Sequence, residues 1–263
     1  MSDLDVAVPI GTGRIGVTIA RRSAVERRLL LADHNPTRLA AVAEQLHGEG
    51  YEVDTMVVDV SDQATVDALA NYAAALGSVT RLIHAPVCRP SKAPPERIVA
   101  VDLLGTAYVL EAFGRVIASE GSGVVIASQA GHMGSFPADL ERTLAYGSIA
   151  ELHDLPALAD IDDSGPSYIL ARRANALRVQ AAAIPWQRAL RRFAERPSGD
   201  SHLRTVPGEP PGERLPDAGG ATDHRHPGSG QFQLLVTILP QASRLAWPSL
   251  PGRGNIPPLW SET

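Results

Sequence analysis

Apolar runs and amphipathic stretches alternate along the first two thirds of the chain. The runs "DVAVPIG", "RLLLAD", "EVDTMVVDV", "VTRLIHA" and "GVVIAS" predict five strands. Between them, "VTIARRSA", "NPTRLAAVAEQLHGEG", "SDQATVDALANYAAALG" and "PERIVAVDLLGTAYVLEAFGRVIAS" predict helices. In the second of these, Leu39, Val42, Ala43 and Leu46 recur at helical spacing, and Gly48 and Gly50 supply a stop. The third opens on a serine suited to capping, Ser61, and closes on a glycine. Strands alternating with helices predict right-handed βαβ units and a doubly wound α/β fold, a parallel sheet covered on both faces. Pro9 lacks an N–H, so the first strand is expected to pair imperfectly around it.

The pattern changes character after Trp186. Residues 187–263 hold 11 of the 21 prolines and 9 of the 23 glycines, and "RTVPGEPPGERLPDAGGATDHRHPGSGQ" has neither helical nor strand period. Two regions are therefore expected: residues 1–186 as the folded domain, and 187–263 as a Pro/Gly/Arg-rich tail, largely irregular or disordered. Within the first, about 132–165 reads as an acidic, partly helical insertion. In the tail, "QFQLLVTIL" is expected to form at most a stray strand or short helix.

The first helix is preceded by "GTGRIG", which sets Gly11, Gly13 and Gly16 in the pattern G-x-G-x-x-G, upstream of Asp33 at the end of the second strand. Such a turn binds a dinucleotide: the first glycine makes the turn, the second lets a pyrophosphate approach the backbone, and the third allows helix and strand to pack closely. The helix N-terminus offers free amides to the anion. Asp33 is expected to accept from the adenosine ribose hydroxyls and to repel a 2′-phosphate, which favours NAD (NADH) over NADP. Asp59 and Val60, ending the third strand, suit an adenine-edge contact. An S-adenosylmethionine site shares the glycine turn and the acid, so a methyltransferase is an alternative.

In order along the chain come "GTGRIG", Asp33, "VDV" at Asp59, "VDLLGTA", "IASQAG" around Ser128 and "SYILARRAN" around Tyr168. Together, over roughly residues 4–186, they resemble the short-chain dehydrogenase/reductases. The resemblance implies a Rossmann-like three-layer αβα fold, incomplete at the C-terminal end, and an NAD-dependent oxidoreductase interconverting an alcohol and a carbonyl by hydride transfer. By position, Tyr168 is the proton donor or acceptor, Ser128 holds the substrate oxygen, Arg172 stands where the family has lysine, and Asp102 where it often has asparagine. Arg14 and Ile15 in the glycine turn, and His84 and Ala85 ending the fourth strand, complete the expected cofactor contacts. A phenol ordinarily ionises near pH ~10 and needs a nearby cation to act near neutrality. Residues 168 and 172 share a helix face, so Arg172 can be that cation.

Beyond Trp186 the family's sixth strand, proline-glycine turn and seventh strand are not recognisable. A one-base shift in codons permitted for "RFAERPSGDSHLRT" can spell a turn of the family's kind, so an out-of-frame translation from about residue 187 is one reading of the tail. A degraded, catalytically impaired nucleotide-binding protein is the corresponding alternative function. The lost strands are expected to leave one sheet edge unpaired.

Composition adds exclusions. A net charge of −5 argues against nucleic acid as a partner. The lone Cys88 excludes an internal disulfide and a cysteine-based zinc site, and no metal is expected. The absence of a basic n-region and of a spanning apolar stretch predicts a cytoplasmic chain with a small-molecule substrate, no membrane partner and possible homo-oligomers. Lys92 is the only lysine.

Overall fold

The computed structural model describes residues 5–159, 162–194 and 236–238, with 119–120, 184–194 and 236–238 described by backbone alone. The expected alternation is borne out. Strands β1 (Asp5–Ile10), β2 (Arg27–Asp33), β3 (Val53–Val57), β4 (Val79–His84) and β5 (Ile117–Ile126) interleave with helices α1 (Arg14–Ser23), α2 (Pro36–Gly48) and α3 (Gln63–Leu76). Between β4 and β5 lie α4 (Pro95–Ile98), a π-helical turn (Val99–Leu104) and α5 (Gly105–Gly114). After β5 come a 3-10 turn (Gln129–His132), α6 (Ala138–Tyr146), α7 (Ile149–His153), α8 (Pro156–Ala159), the long α9 (Ser164–Ala194) and β6 (Val236–Ile238).

The sheet order is β3-β2-β1-β4-β5-β6. The first five strands run parallel, and the reversal of strand order at β1 and β4 opens a crevice at their carboxyl ends, where ligands bind in folds of this kind. The buried strand residues Val6, Val8, Leu30, Leu82 and Val125 join one core with α3, α5 and α9, while Ala7, Leu29 and Leu31 pack against α1 and α2 on the opposite face. Around Pro9 the ladder from β1 to β2 skips Val8 and Pro9, resuming at Ile10 and Ala32, as the missing N–H requires.

Four details differ from the sequence reading. The cap of α3 is Asp62, whose carboxylate accepts from the Ala64 amide, whereas Ser61 bonds back to Asp59. The helix expected to run to Ser119 stops at Gly114, and β5 starts at Ile117, because "VIAS" suits a strand as well as a helix. Helix α9 runs past Trp186 to Ala194. The edge expected to stay bare is partly covered: β6 pairs antiparallel with β5, Val124 opposite Ile238 and Ile126 opposite Val236. The remainder of the predicted tail, and the proposed frame change within it, lie outside the described residues.

Candidate active site

The glycine turn links the end of β1 to α1. Gly11 has φ of 90°, a left-handed conformation that favours glycine. A Cβ on Gly16 would stand 2.0 Å from the Gly11 carbonyl oxygen, so only glycine lets α1 sit this close to the turn. A Cβ on Gly13 would meet nothing within 4 Å, so the space above that residue is open, and Gly13 leaves the first turn of α1 without a side-chain cap. The amides there are free to face an anion.

Asp33 is tied into this turn. Its Oδ2 accepts from the Thr12 amide and the Thr12 hydroxyl, both at 2.7 Å. Its Oδ1 accepts from the Asn35 amide at 2.9 Å and from Arg38 Nη2 at 2.7 Å. Burial alone would push this carboxyl up; the bonds from Arg38, Asn35 and Thr12 outweigh it and bring it down to about 2. The carboxylate is thus an anion with its lone pairs engaged; the half-exposed Arg38 and the more exposed His34, whose Nδ1 lies 3.2 Å from Oδ1, are its partners nearest solvent.

A cleft of about 520 Å3 opens beside it, bordered by Gly11, Gly13, Asp33, Arg38, Asp59 and Val60. Ala85, Pro86, Val87, Cys88 and Lys92 of the loop after β4 close its other side. Asp59 accepts from Ser61 and Arg97; burial raises its carboxyl, but these bonds hold it below the ordinary value. Six predicted cofactor residues, Gly11, Gly13, Asp33, Asp59, Val60 and Ala85, therefore share one cleft. Arg14, Ile15, Gly16 and His84 do not border it.

None of the four expected catalytic residues borders this cleft, and all four are buried. Ser128 caps the 3-10 turn, its hydroxyl oxygen accepting from the Ala130 amide at 3.2 Å. Tyr168 and Arg172 both face inward from α9, and the guanidinium carbon of Arg172 stands 4.9 Å from the Tyr168 ring centroid. Arg172 is held inside the fold. Its side chain is 2% exposed; Nη1 donates to the Ile126 carbonyl at 3.2 Å and Nη2 lies 2.9 Å from Asp102 Oδ2.

Asp102 sits in the π-helical turn, fully buried, and also accepts from the Cys88 amide at 3.1 Å. Burial pushes its carboxyl up to about 6, against the opposing pull of Arg172 and the Cys88 amide. Below it, the Thr106 hydroxyl donates to the Asp102 carbonyl at 2.9 Å and lies 3.2 Å from His84 Nε2. Burial, reinforced by the charge of Arg172, lowers His84 to about 3, so its imidazole is neutral and Nε2 carries the proton given to Thr106. His84 is thus a buried support of the Asp102 segment rather than a wall of the cleft.

Sequence reasoning missed Thr12 and Arg38 as partners of Asp33, the Cys88 amide as a partner of Asp102, and Asn175. The Asn175 amide is fully buried one turn beyond Arg172, with no hydrogen-bond partner among the described residues. The Thr12 contact could have been suspected from a hydroxyl inside the glycine turn; the others depend on tertiary packing.

Known proteins resemble this chain at two levels. The short chain dehydrogenase family model matches residues 6–139. The short-chain dehydrogenase/reductase bsc3 of Alternaria brassicicola is 32% identical over 184 residues, covering 69% of this chain and 67% of that protein. Among solved structures, a 3-oxoacyl-acyl-carrier-protein reductase from Brucella melitensis superposes with a TM-score of 0.53 at 20% identity, covering 72% of each chain. A metagenomic short-chain oxidoreductase in complex with NADP does so with a TM-score of 0.52 at 22% identity, over 71% of this chain and 79% of that one. These structural likenesses speak for the fold, and the methyltransferase alternative gains no support from the matches. With the glycine turn, the parallel sheet and matched sequence in agreement, the chain belongs to the short-chain dehydrogenase/reductase family of oxidoreductases.

Proposed function

We propose that this chain is an NAD(H)-dependent oxidoreductase that interconverts a small alcohol and its carbonyl, with Tyr168 moving the proton. The observation that carries this reading is the tie between β5 and α9. Arg172 reaches back to the Ile126 carbonyl, two residues before Ser128, and a Cβ on Gly131 would lie 2.6 Å from the Arg172 carbonyl oxygen. The turn bearing Ser128 is thereby pressed onto the helix bearing Tyr168.

The residues present fit a dinucleotide: an open space over Gly13, free amides at α1, and a cleft running from Asp33 to the loop after β4. Gly11 and Gly13 would hold the pyrophosphate, Asp33 with Arg38 the adenosine ribose, and Asp59 with Val60 the adenine edge. A bound nicotinamide supplies or accepts the hydride. In the reducing direction Tyr168 gives its hydroxyl proton to the carbonyl oxygen, and Ser128 donates a hydrogen bond to the same atom. Because the Ser128 oxygen already accepts from Ala130, its own proton is free for that purpose. Oxidation runs the same proton path in reverse.

The solved metagenomic relative is a complex with NADP, whereas an ionised Asp33 beside the ribose disfavours a 2′-phosphate. NAD is therefore the reading adopted, with Arg38 narrowing the margin.

A panel of small ketones and aldehydes, followed by loss of NADH absorbance, tests the proposal. Turnover should fall about a hundredfold or more in Tyr168→Phe, the scale of a lost general acid. Turnover unchanged in that variant would remove Tyr168 from the chemistry. A second reading, a nucleotide binder without catalysis, is favoured by one observation: the Arg172 guanidinium is committed to Asp102 and Ile126 inside the core. NADH binding with no turnover of any carbonyl, unchanged in Tyr168→Phe, would select it.

A further inference from the structure

Asp102 and Arg172 are the only oppositely charged pair among the described ion pairs with both side chains essentially removed from water, at 0% and 2% exposure. Three elements meet there. The carboxylate comes from the π-helical turn, the guanidinium from α9, and the Cys88 amide from the loop that borders the cleft. The same guanidinium lies over the ring of Tyr168 rather than being directed by a hydrogen bond to its hydroxyl.

We infer that Asp102 is a positioning residue that draws Arg172 into the core and cancels its charge, so that Tyr168 works beside a neutralised cation. The inference rests on the reading of Tyr168 as the proton-transfer residue. A cation promotes ionisation of a phenol only to the extent that its field is not answered by a nearer anion. At 2.9 Å, Asp102 is that nearer anion. Among the described residues around the pair, the remaining charges do not compensate. His84, from β4, is neutral; the Cys88 thiol, from the following loop, is pushed up by burial and by Asp102; Arg97 and Asp59 are partly exposed and pair with each other. The Thr106 hydroxyl from α5 is spent on the Asp102 carbonyl.

The consequence can be read in the ionisation of Tyr168. Full-length protein carrying 13C-labelled tyrosine is titrated by NMR, and the Tyr168 signal is assigned by its loss in Tyr168→Phe. In Asp102→Asn, which keeps shape and an oxygen for the Cys88 amide, Arg172 is uncancelled and Tyr168 should ionise at a pH lower by about one unit or more. The double variant Asp102→Asn/Arg172→Met removes both charges and, if they cancel, should titrate within about half a unit of the parent. Replacing a buried ion pair by neutral groups of similar size is commonly tolerated, so the double variant remains informative should the single one fail to fold.

An unchanged Tyr168 titration in Asp102→Asn would overturn the inference. So would a double variant ionising about one unit or more above the parent, since Arg172 would then act uncancelled. Neither readout requires turnover. A protein whose activity survives Tyr168→Phe would lose the functional reading, while the cancellation would still be judged by the titration.

Discussion

Thr12 and Asp33 are joined twice through a single carboxylate oxygen, which accepts both the amide and the hydroxyl of Thr12 at 2.7 Å. The end of β2 thereby fixes the turn between β1 and α1 from outside that unit. Fixing the turn sets the angle at which α1 presents its first amides to the cleft. The acid is a structural strut of the turn.

That strut has a pH signature. The Asp33 carboxyl is lowered in the folded protein to about 2 by Arg38, Asn35 and Thr12 acting against burial. Its contribution to stability is therefore complete above the unfolded value near pH ~4 and disappears as the pH falls through about 2. Thr12→Val removes the hydroxyl bond, worth ~1 kcal/mol, and should move the acid-unfolding midpoint to higher pH. Circular dichroism along an acid titration measures this; an unmoved midpoint would mean that the Thr12 hydroxyl does not hold the acid.

Arg38 is expected to tune the choice between nucleotides. Its side chain is 45% exposed and contacts Asp33 at the cleft edge, where it cancels part of the repulsion felt by a 2′-phosphate. Arg38→Ala should widen the preference for NAD over NADP by about fivefold, the scale of an exposed ion pair of ~1 kcal/mol. Dissociation constants for both nucleotides by calorimetry decide it, and a preference that shrinks would reverse the assignment.

Gly16→Ala should abolish dinucleotide binding. Its new Cβ would meet the Gly11 carbonyl oxygen at 2.0 Å, a backbone atom that cannot rotate away, so α1 must lift off the turn. Thermal shift with NADH should show no stabilisation in the variant and clear stabilisation in the parent. Ligand stabilisation equal to the parent's would place the nucleotide elsewhere.

The buried pair should show the asymmetry expected of charges held in a core. Arg172→Met alone leaves Asp102 buried without its cation, and should cost about 3–5 kcal/mol in urea unfolding. Adding Asp102→Asn should restore most of it. The pH dependence has a definite sign: burial raises Asp102 to about 6, so its stabilising contribution is complete below the unfolded value near pH ~4 and is lost as the pH rises through about 6. The double variant should lack that loss, and equal losses in single and double variants would show that the charges do not interact.

The glycine turn, Asp33 and the alternating core were legible in the sequence because each depends on near neighbours: glycine spacing, an acid at a strand end, a hydrophobic period. The fate of Arg172 was not. Its spacing from Tyr168 promised a shared helix face, and the two do meet, but the direction of the guanidinium is set by Asp102 and Ile126, which only folding brings near. Asp102 itself was marked only as standing where the family often has asparagine, yet the π-helical turn and the Cys88 amide make it the centre of a buried junction. The stretch "VIAS" was read as helix because short apolar runs fit both periods, and pairing with β4 decided for strand. His84 ends a strand pointing at the crevice, as expected, but its ring packs inward onto Thr106.

Lys92, the only lysine in the chain, borders the cleft. Apart from the α-amino group, an amine-directed reagent therefore has one place to react. A fluorophore or crosslinker attached by acylation would report from the mouth of the nucleotide crevice, with no engineering of the protein and no background from other side chains.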